Sequence, residues 1–175
     1  MNTNKSSDNN TRRWLAAYVK MHHEKKVLER LTDQEIEAFL PIQTVTRQWS
    51  DRKKKVERVL ISMMIFVYVD TEEQLRVLQT PSVLRYMVLR GERTPAVIPN
   101  HQMEQFRFIV EHSDKNVNFE DCDLQIGEEV RVIEGPLTGL VGVLSNIKGK
   151  SIIAIRIDRV GCATVEIGAS MVQKV

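Results

Sequence analysis

From Gly127 to Val175 the chain has room for little besides short strands. Val130 and Val132 flank Arg131. Ile153, Ile155 and Ile157 alternate with Ala154 and Arg156, and Ala163, Val165 and Ile167 alternate with Thr164 and Glu166. A period of two puts every second side chain on one face, which is a strand pattern. Gly135-Pro136 marks a turn. Gly139 and Gly142 flank Leu140-Val141 and are expected to take backbone angles that other residues resist. Short alternating runs with glycine turns over about 50 residues predict a small closed barrel, all β, over residues 126–175. No helical window of useful length survives there.

The residues before it have another texture. Trp14–Val19 reads as a first strand, and His22–Leu31 as a helix with Val27, Leu28 and Leu31 at helical spacing. Ile36–Val45, with Pro41 inside it, suits an edge strand. Val59–Val69 is β-branched and aromatic, the signature of a central strand. Thr71-Glu72-Glu73-Gln74 matches a capping box opening a helix, with Leu75 and Leu78 as its buried side. Val83–Leu89 is a further strand. Asn100 caps a last helix with Met103, Phe106 and Val110 on one face. This order predicts a split βαβ domain over 13–111, an antiparallel sheet with helices on one face. Residues 1–12 read as a disordered lead-in. Residues 112–125, with four acids against Lys115 alone, read as an acidic linker. The fold class expected is α+β.

Charge divides the chain in the same way. Residues 1–111 hold 18 Lys/Arg against 14 Asp/Glu, whereas residues 112–175 hold 7 against 9. The segment 47–58 has Arg47, Arg52, Lys53, Lys54, Lys55 and Arg58 against Asp51 and Glu57, which equals the whole positive excess of the front part. A basic run of this kind attracts phosphates, and Trp49 inside it can stack on a base. Arg47, Trp49, Arg52, Lys53, Lys54 and Lys55 are therefore candidate nucleic-acid contacts, although an isolated charge run is more often only a solvated hairpin.

Several classes are disfavoured. The longest apolar run, Val59–Val69, is interrupted at Ser62 and is too short to span a bilayer. Cys122 and Cys162 are far apart, lack metal-ligand spacing, and read as two reduced thiols. His22, His23, His101 and His112 make no metal pattern with them. No nucleophile–base set, phosphate-cradling loop or isolated carboxylate pair stands out, so neither enzyme chemistry nor a cofactor is expected.

Gly127-Glu128-Glu129-Val130-Arg131-Val132, then Gly135-Pro136-Leu137 and Gly139-Leu140-Val141-Gly142-Val143, resemble a KOW motif. Trp14–Val19, His23–Val27, Glu37-Ala38-Phe39-Leu40-Pro41 and Pro95-Ala96-Val97-Ile98-Pro99 resemble successive landmarks of the NusG N-terminal (NGN) domain. The resemblance covers residues 13–175 and is to NusG-like transcription elongation and antitermination factors. Arg47–Glu57 further resembles the UpxY branch, specialised NusG paralogues of capsular or surface polysaccharide operons.

The resemblance implies a cytoplasmic, monomeric binding protein. Its front domain would sit on the clamp helices of RNA polymerase, beside non-template DNA or leader RNA. Its SH3-like KOW barrel would recruit a second partner, in relatives Rho or a small-subunit ribosomal protein. The matching polymerase-binding positions are Tyr18, Leu60, Ile61, Met64 and Phe66. Strand alternation alone buries about half of such a run. The matching KOW partner positions are Leu137, Leu140 and Val160, smaller than the family's aromatics. A stand-alone RNA-binding or ribosome-associated KOW protein is the alternative. It is weakened because Ser62–Val69 lacks the glycine of an RNA-recognition strand.

Overall fold

The structure is a computed structural model that describes residues 11–121, 127–147 and 149–175. The strands are β1 (Arg13–Val19), β2 (Glu37–Phe39), β3 (Ile42–Gln48), β4 (Lys53–Val59), β5 (Met64–Val69), β6 (Val83–Tyr86), β7 (Val97–Ile98), β8 (Asn118–Glu120), β9 (Glu128–Val132), β10 (Val141–Ile147), β11 (Lys150–Ile157), β12 (Gly161–Glu166) and β13 (Val172–Lys174). The helices are α1 (Glu24–Asp33), α2 (Thr71–Gln79) and α3 (Asn100–His112). The architecture is α+β. The chain divides into two compact units, one of Met1–Leu40 with Ile61–Asn100 and one of Pro41–Leu60 with His101–Val175.

The first unit is built on an antiparallel sheet in the order β2-β5-β1-β6, with β7 also on β1. The apolar runs Trp14–Val19 and Met64–Val69 form its two inner strands, registered Tyr18 to Met64, Ala16 to Phe66 and Trp14 to Tyr68. Tyr86 lies opposite Ala17 and so shares a face with Leu15, Ala17 and Val19. Its hydroxyl donates to the Gln74 carbonyl of α2 at 3.0 Å, which places α2 over that face. Val27, Leu31 and Val77 are the fully buried side chains of α1 and α2. Burial raises the Tyr86 pKa well above the ordinary phenol value.

Several local expectations are corrected here. The lead-in expected over 1–12 lies outside the described residues as far as residue 10. Arg12 is anchored, its Nη2 2.7 Å from Glu73 Oε1. The segment read as one strand, Ile36–Val45, is two strands in two sheets, divided at Leu40-Pro41. Proline offers no amide to a ladder, so the chain changes partners there. The long strand read over Val59–Val69 is broken by a turn at Leu60–Met63, with Met63 left-handed at φ 61°. The cap of α2 is Asp70, one residue earlier than Thr71. Its carboxylate accepts from the Glu72 and Glu73 amides, while Glu73 accepts from the Asp70 amide. That register turns Val77 inward and leaves Leu75 and Leu78 exposed, the reverse of the expected buried side.

In the second unit β8 to β13 form a six-stranded antiparallel sheet, β13-β9-β10-β11-β12-β8, and β3 pairs with β4 in a separate two-stranded one. The alternating residues predicted to face inward do so: Val130, Val132, Ile153, Ile155, Ile157, Ala163, Val165 and Ile167 are all buried. The segment 112–125, expected as a linker, contributes β8, with Phe119 opposite Ala163. Its ring stacks at a tilt on Phe106 of α3, 5.8 Å between centroids. The acids of that segment suggested solvation, and Val117 and Phe119 were too few to signal a strand.

Gly139, in the β9–β10 connection, and Gly142, in β10, serve different ends. Gly139 has φ +93°, as expected. Gly142 does not. It is glycine because a Cβ there would lie 2.8 Å from the Ala154 carbonyl oxygen and 2.8 Å from Ile155 Cδ1. Cys162, on β12, is disulfide-bonded, against the expectation of two reduced thiols; Cys122 lies outside the described residues.

Candidate functional site

The polymerase-binding candidates of the first unit gather on the sheet face opposite α2. Tyr18 and Met64 are direct cross-strand partners, and Phe66, opposite Ala16, is two pairs further along on the same face. The face is aromatic. Trp14 and Tyr68 lie 5.3 Å apart between ring centroids, and Phe39 and Phe66 lie 6.4 Å apart. Arg85 of β6 sits over the Tyr18 ring at 5.0 Å, a cation–π contact. Phe66 is 0% and Met64 7% exposed, whereas Tyr18 is half-buried. The register therefore assembles these residues but leaves chiefly Tyr18, with Arg85, accessible to a partner. Sequence reasoning missed Arg85, Trp14 and Tyr68 as members of this face. Only the strand register reveals them.

Ile61 is half-buried in the turn that leads into β5. The carboxylate of Glu24 holds that turn, accepting from the Met63 amide at 2.8 Å. Burial alone would raise the Glu24 pKa. Hydrogen bonds with the backbone of Met63, Glu24 and His22, and the nearby His22, outweigh it and hold the carboxyl below its ordinary range. Leu60, in the second unit, is half-buried and its amide donates to the Pro41 carbonyl at 2.8 Å.

The basic segment is an isolated two-stranded ribbon, β3 with β4. Thr46 pairs with Lys55, Arg47 with Lys54 and Gln48 with Lys53. The Trp49 amide donates to the Arg52 carbonyl at 2.8 Å and closes the tip. Arg47, Arg52, Lys53, Lys54 and Lys55 are all exposed, and Trp49 is 57% exposed. All six candidates thus lie within one turn and three cross-strand pairs. The base of the ribbon is tied down. The Gln43 side chain donates to the Lys115 carbonyl at 2.7 Å and accepts from the Val117 amide at 2.9 Å. Arg58 donates to the Val117 carbonyl. Gln43 thus imitates a strand neighbour for residues 115–117, and it went unnoticed because nothing local marks a glutamine as a clamp.

The KOW candidates sit in two turns of the second unit. Leu137 is 6% and Leu140 4% exposed, while Val160 is half-buried at the β11–β12 turn. Beside Leu140 a groove of about 360 Å³ runs between the β9–β10 connection and α3, lined by Glu104, Gln105 and Phe108. On the outer face Lys150 and Glu166 form an exposed ion pair at 2.9 Å. The hydrogen bond and charge of each hold the Lys150 pKa above and the Glu166 pKa below their ordinary values. Among the described residues no three His, Cys, Asp or Glu side chains gather as a metal site, and no helix is long and apolar enough to cross a membrane.

The described residues thus present an aromatic sheet face, a cationic ribbon and a small β module. Residues 12–107, more than half of the chain, match the family model described as NusG, transcription termination factor. The chain is 25% identical to the transcription termination/antitermination protein NusG of Staphylococcus epidermidis, over 97% of this chain and 99% of that one. It is 26% identical to the NusG of Staphylococcus aureus, with the same coverage. Among solved structures it is similar to NusG of Thermotoga maritima, with a TM-score of 0.49 and 19% identity over 94% of this chain and 98% of that one. The chain belongs to the NusG family of transcription termination and antitermination factors, which are not enzymes.

Proposed function

We propose that this protein is a specialised NusG-type antiterminator of the UpxY kind, acting in the cytoplasm on a capsular or surface polysaccharide operon. The observation that carries the reading is the ribbon. The stretch whose sequence resembles the UpxY branch forms an exposed cationic hairpin with a tryptophan at its tip. Phosphate contacts supply most non-specific affinity for nucleic acid, and an aromatic at the tip adds stacking. In this reading residues 13–111 act as the NGN module and residues 126–175 as the KOW module. The clamp helices of elongating RNA polymerase dock on the sheet face opposite α2, around Tyr18, with Ile61 in the turn into β5 and Leu60 preceding it in the chain. Met64 and Phe66 shape that face from beneath. The ribbon contacts non-template DNA or leader RNA. Val160 and the groove beside Leu140 are where a KOW partner, Rho or a ribosomal protein, would dock, with Leu137 holding the loop.

Single-round transcription across a terminator tests this. Read-through should rise with the wild-type protein. It should fall to the background level when Arg52, Lys53 and Lys54 are changed to Glu. Polymerase pull-down should retain the ribbon variant and lose a Tyr18→Ala/Ile61→Ser variant. RNA or ribosome binding without polymerase retention would favour a stand-alone KOW protein instead.

A further inference from the structure

In an antiparallel ribbon, directly opposed residues share a face and successive residues alternate. The register Gln48–Lys53, Arg47–Lys54 and Thr46–Lys55 therefore divides the cations evenly. Lys53 and Lys55 lie on one face, and Arg47 and Lys54 on the other. Arg52 and Trp49 lie at the tip between them. A surface that lies flat on a nucleic acid needs its charge on one face only. A ribbon tip with equal charge on both faces over its three outer pairs, Glu57 lying one pair beyond Val45–Val56 at the base, is suited to a slot whose two walls are both anionic.

We infer that the β3–β4 ribbon enters the major groove of duplex DNA tip first, with one cationic face toward each phosphate wall. This rests on the nucleic-acid reading above and adds the kind of target and the orientation. The dimensions agree. A layer of sheet with its side chains is about 10 Å thick, and the major groove of B-form DNA is about 12 Å wide. Three cross-strand pairs extend about 10 Å, close to the groove depth of about 8.5 Å. All four lysine and arginine side chains of those pairs therefore reach the walls while Trp49 and Arg52 reach the floor. The major groove of A-form RNA is deep and too narrow for this entry. A single strand offers one phosphate track and leaves one face unused. The ties from Gln43 and Arg58 to residues 115–117 fix the base, so the ribbon enters already ordered and less entropy is lost on binding.

Fluorescence anisotropy with the full chain tests the geometry. The probes are a labelled duplex DNA, its single strand and an RNA stem-loop, each titrated across salt. Lys53→Gln/Lys55→Gln neutralises one face and Arg47→Gln/Lys54→Gln the other. Each removes two phosphate contacts, so each should lower the slope of log K against log salt by about 1.8. The affinity lost between about 50 mM and about 200 mM salt should then be about 12-fold smaller for either variant. The two variants should match, and duplex DNA should bind most tightly. If only one variant lowers the slope, the ribbon lies flat and the groove entry is wrong. Equal or tighter binding of the single strand or the RNA stem-loop also overturns it, while leaving the nucleic-acid reading intact. If the wild type binds none of the probes, both fail.

Discussion

Glu24 and Met63 are joined by a hydrogen bond of 2.8 Å from the Met63 amide to the Glu24 carboxylate. The first turn of α1 thereby holds the turn that aims β5. That turn needs holding, because Met63 sits at φ 61°, a left-handed conformation costing an ordinary residue roughly 1–2 kcal/mol. Glu24 itself is only 6% exposed, so its carboxylate is stabilised by backbone donors rather than by bulk water.

Removing that carboxylate should destabilise the fold in a pH-dependent way. A charged hydrogen bond of this kind contributes about 1.5–3 kcal/mol, so Glu24→Ala is expected to lose that much at neutral pH, and Glu24→Gln less. The folded pKa lies below the unfolded one. The contribution is then fully present above the unfolded carboxyl pKa, about 4.3, and is lost as pH falls through the folded value. Urea unfolding at stepped pH should show the gap between wild type and Glu24→Gln constant near neutrality and shrinking below about pH 4. A gap unchanged into acid would show that the carboxylate is not coupled to folding.

Gly139→Ala and Gly142→Ala should fail for different reasons. Nothing lies within 4 Å of a Cβ at Gly139, so the cost there is backbone strain alone, roughly 1–2 kcal/mol. Asn, which tolerates the left-handed region, should recover part of it. At Gly142 the added methyl meets the Ala154 carbonyl and the side chains of Ile153 and Ile155, all under 3 Å. Overpacking of that kind costs about 1–3 kcal/mol, and Asn should be worse than Ala. Thermal unfolding of the four variants separates the two mechanisms by the sign of the Ala-to-Asn step.

Gln43→Ala should loosen the base of the ribbon. It takes the acceptor from the buried Val117 amide and leaves the Lys115 carbonyl only the Ser113 hydroxyl as a donor. An unsatisfied buried polar group costs about 1–3 kcal/mol. Hydrogen exchange at Val117 should accelerate by at least about 10-fold, with little change at β1, which belongs to the other compact unit. Exchange that rises equally everywhere would mean the clamp is part of global stability rather than local.

What the sequence made legible follows from where periodicity carries the information. The alternation Ile153-Ile155-Ile157 and Ala163-Val165-Ile167 was enough for the back sheet, because strand faces repeat every two residues. The α3 stripe of Met103, Phe106 and Val110 was equally clear. Elsewhere a single residue decided the outcome. Thr71 was read as the cap of α2, whereas Asp70 caps it, and the side chain the helix buries is Val77 rather than Leu75 or Leu78. The basic candidates were visible as composition, but their division between two faces depends on a register set by the Trp49–Arg52 turn. For the sheet face opposite α2, Tyr18 and Phe66 were visible while Arg85 was not, since a cross-sheet neighbour leaves no mark in a linear pattern.

The contrast between Tyr18 and Phe66 provides the sharpest test of that face. Both are carried on the same side of the sheet, but Phe66 is fully buried and Tyr18 only half so. Truncating a buried phenylalanine costs about 3–5 kcal/mol, so Phe66→Ala should lower the unfolding midpoint strongly. Any loss of polymerase binding by that variant would then follow from loss of fold. Tyr18→Ala removes the ring under Arg85 and should cost far less stability, since an exposed cation–π pair contributes about 0.5–1 kcal/mol. It should nonetheless weaken polymerase retention by at least about 10-fold, because aromatic anchors dominate interfaces of this kind. Arg85→Ala should follow Tyr18→Ala in both measurements if the two act as one feature. A Tyr18→Ala protein that is folded by circular dichroism and retains polymerase like the wild type would remove this face from the binding mechanism.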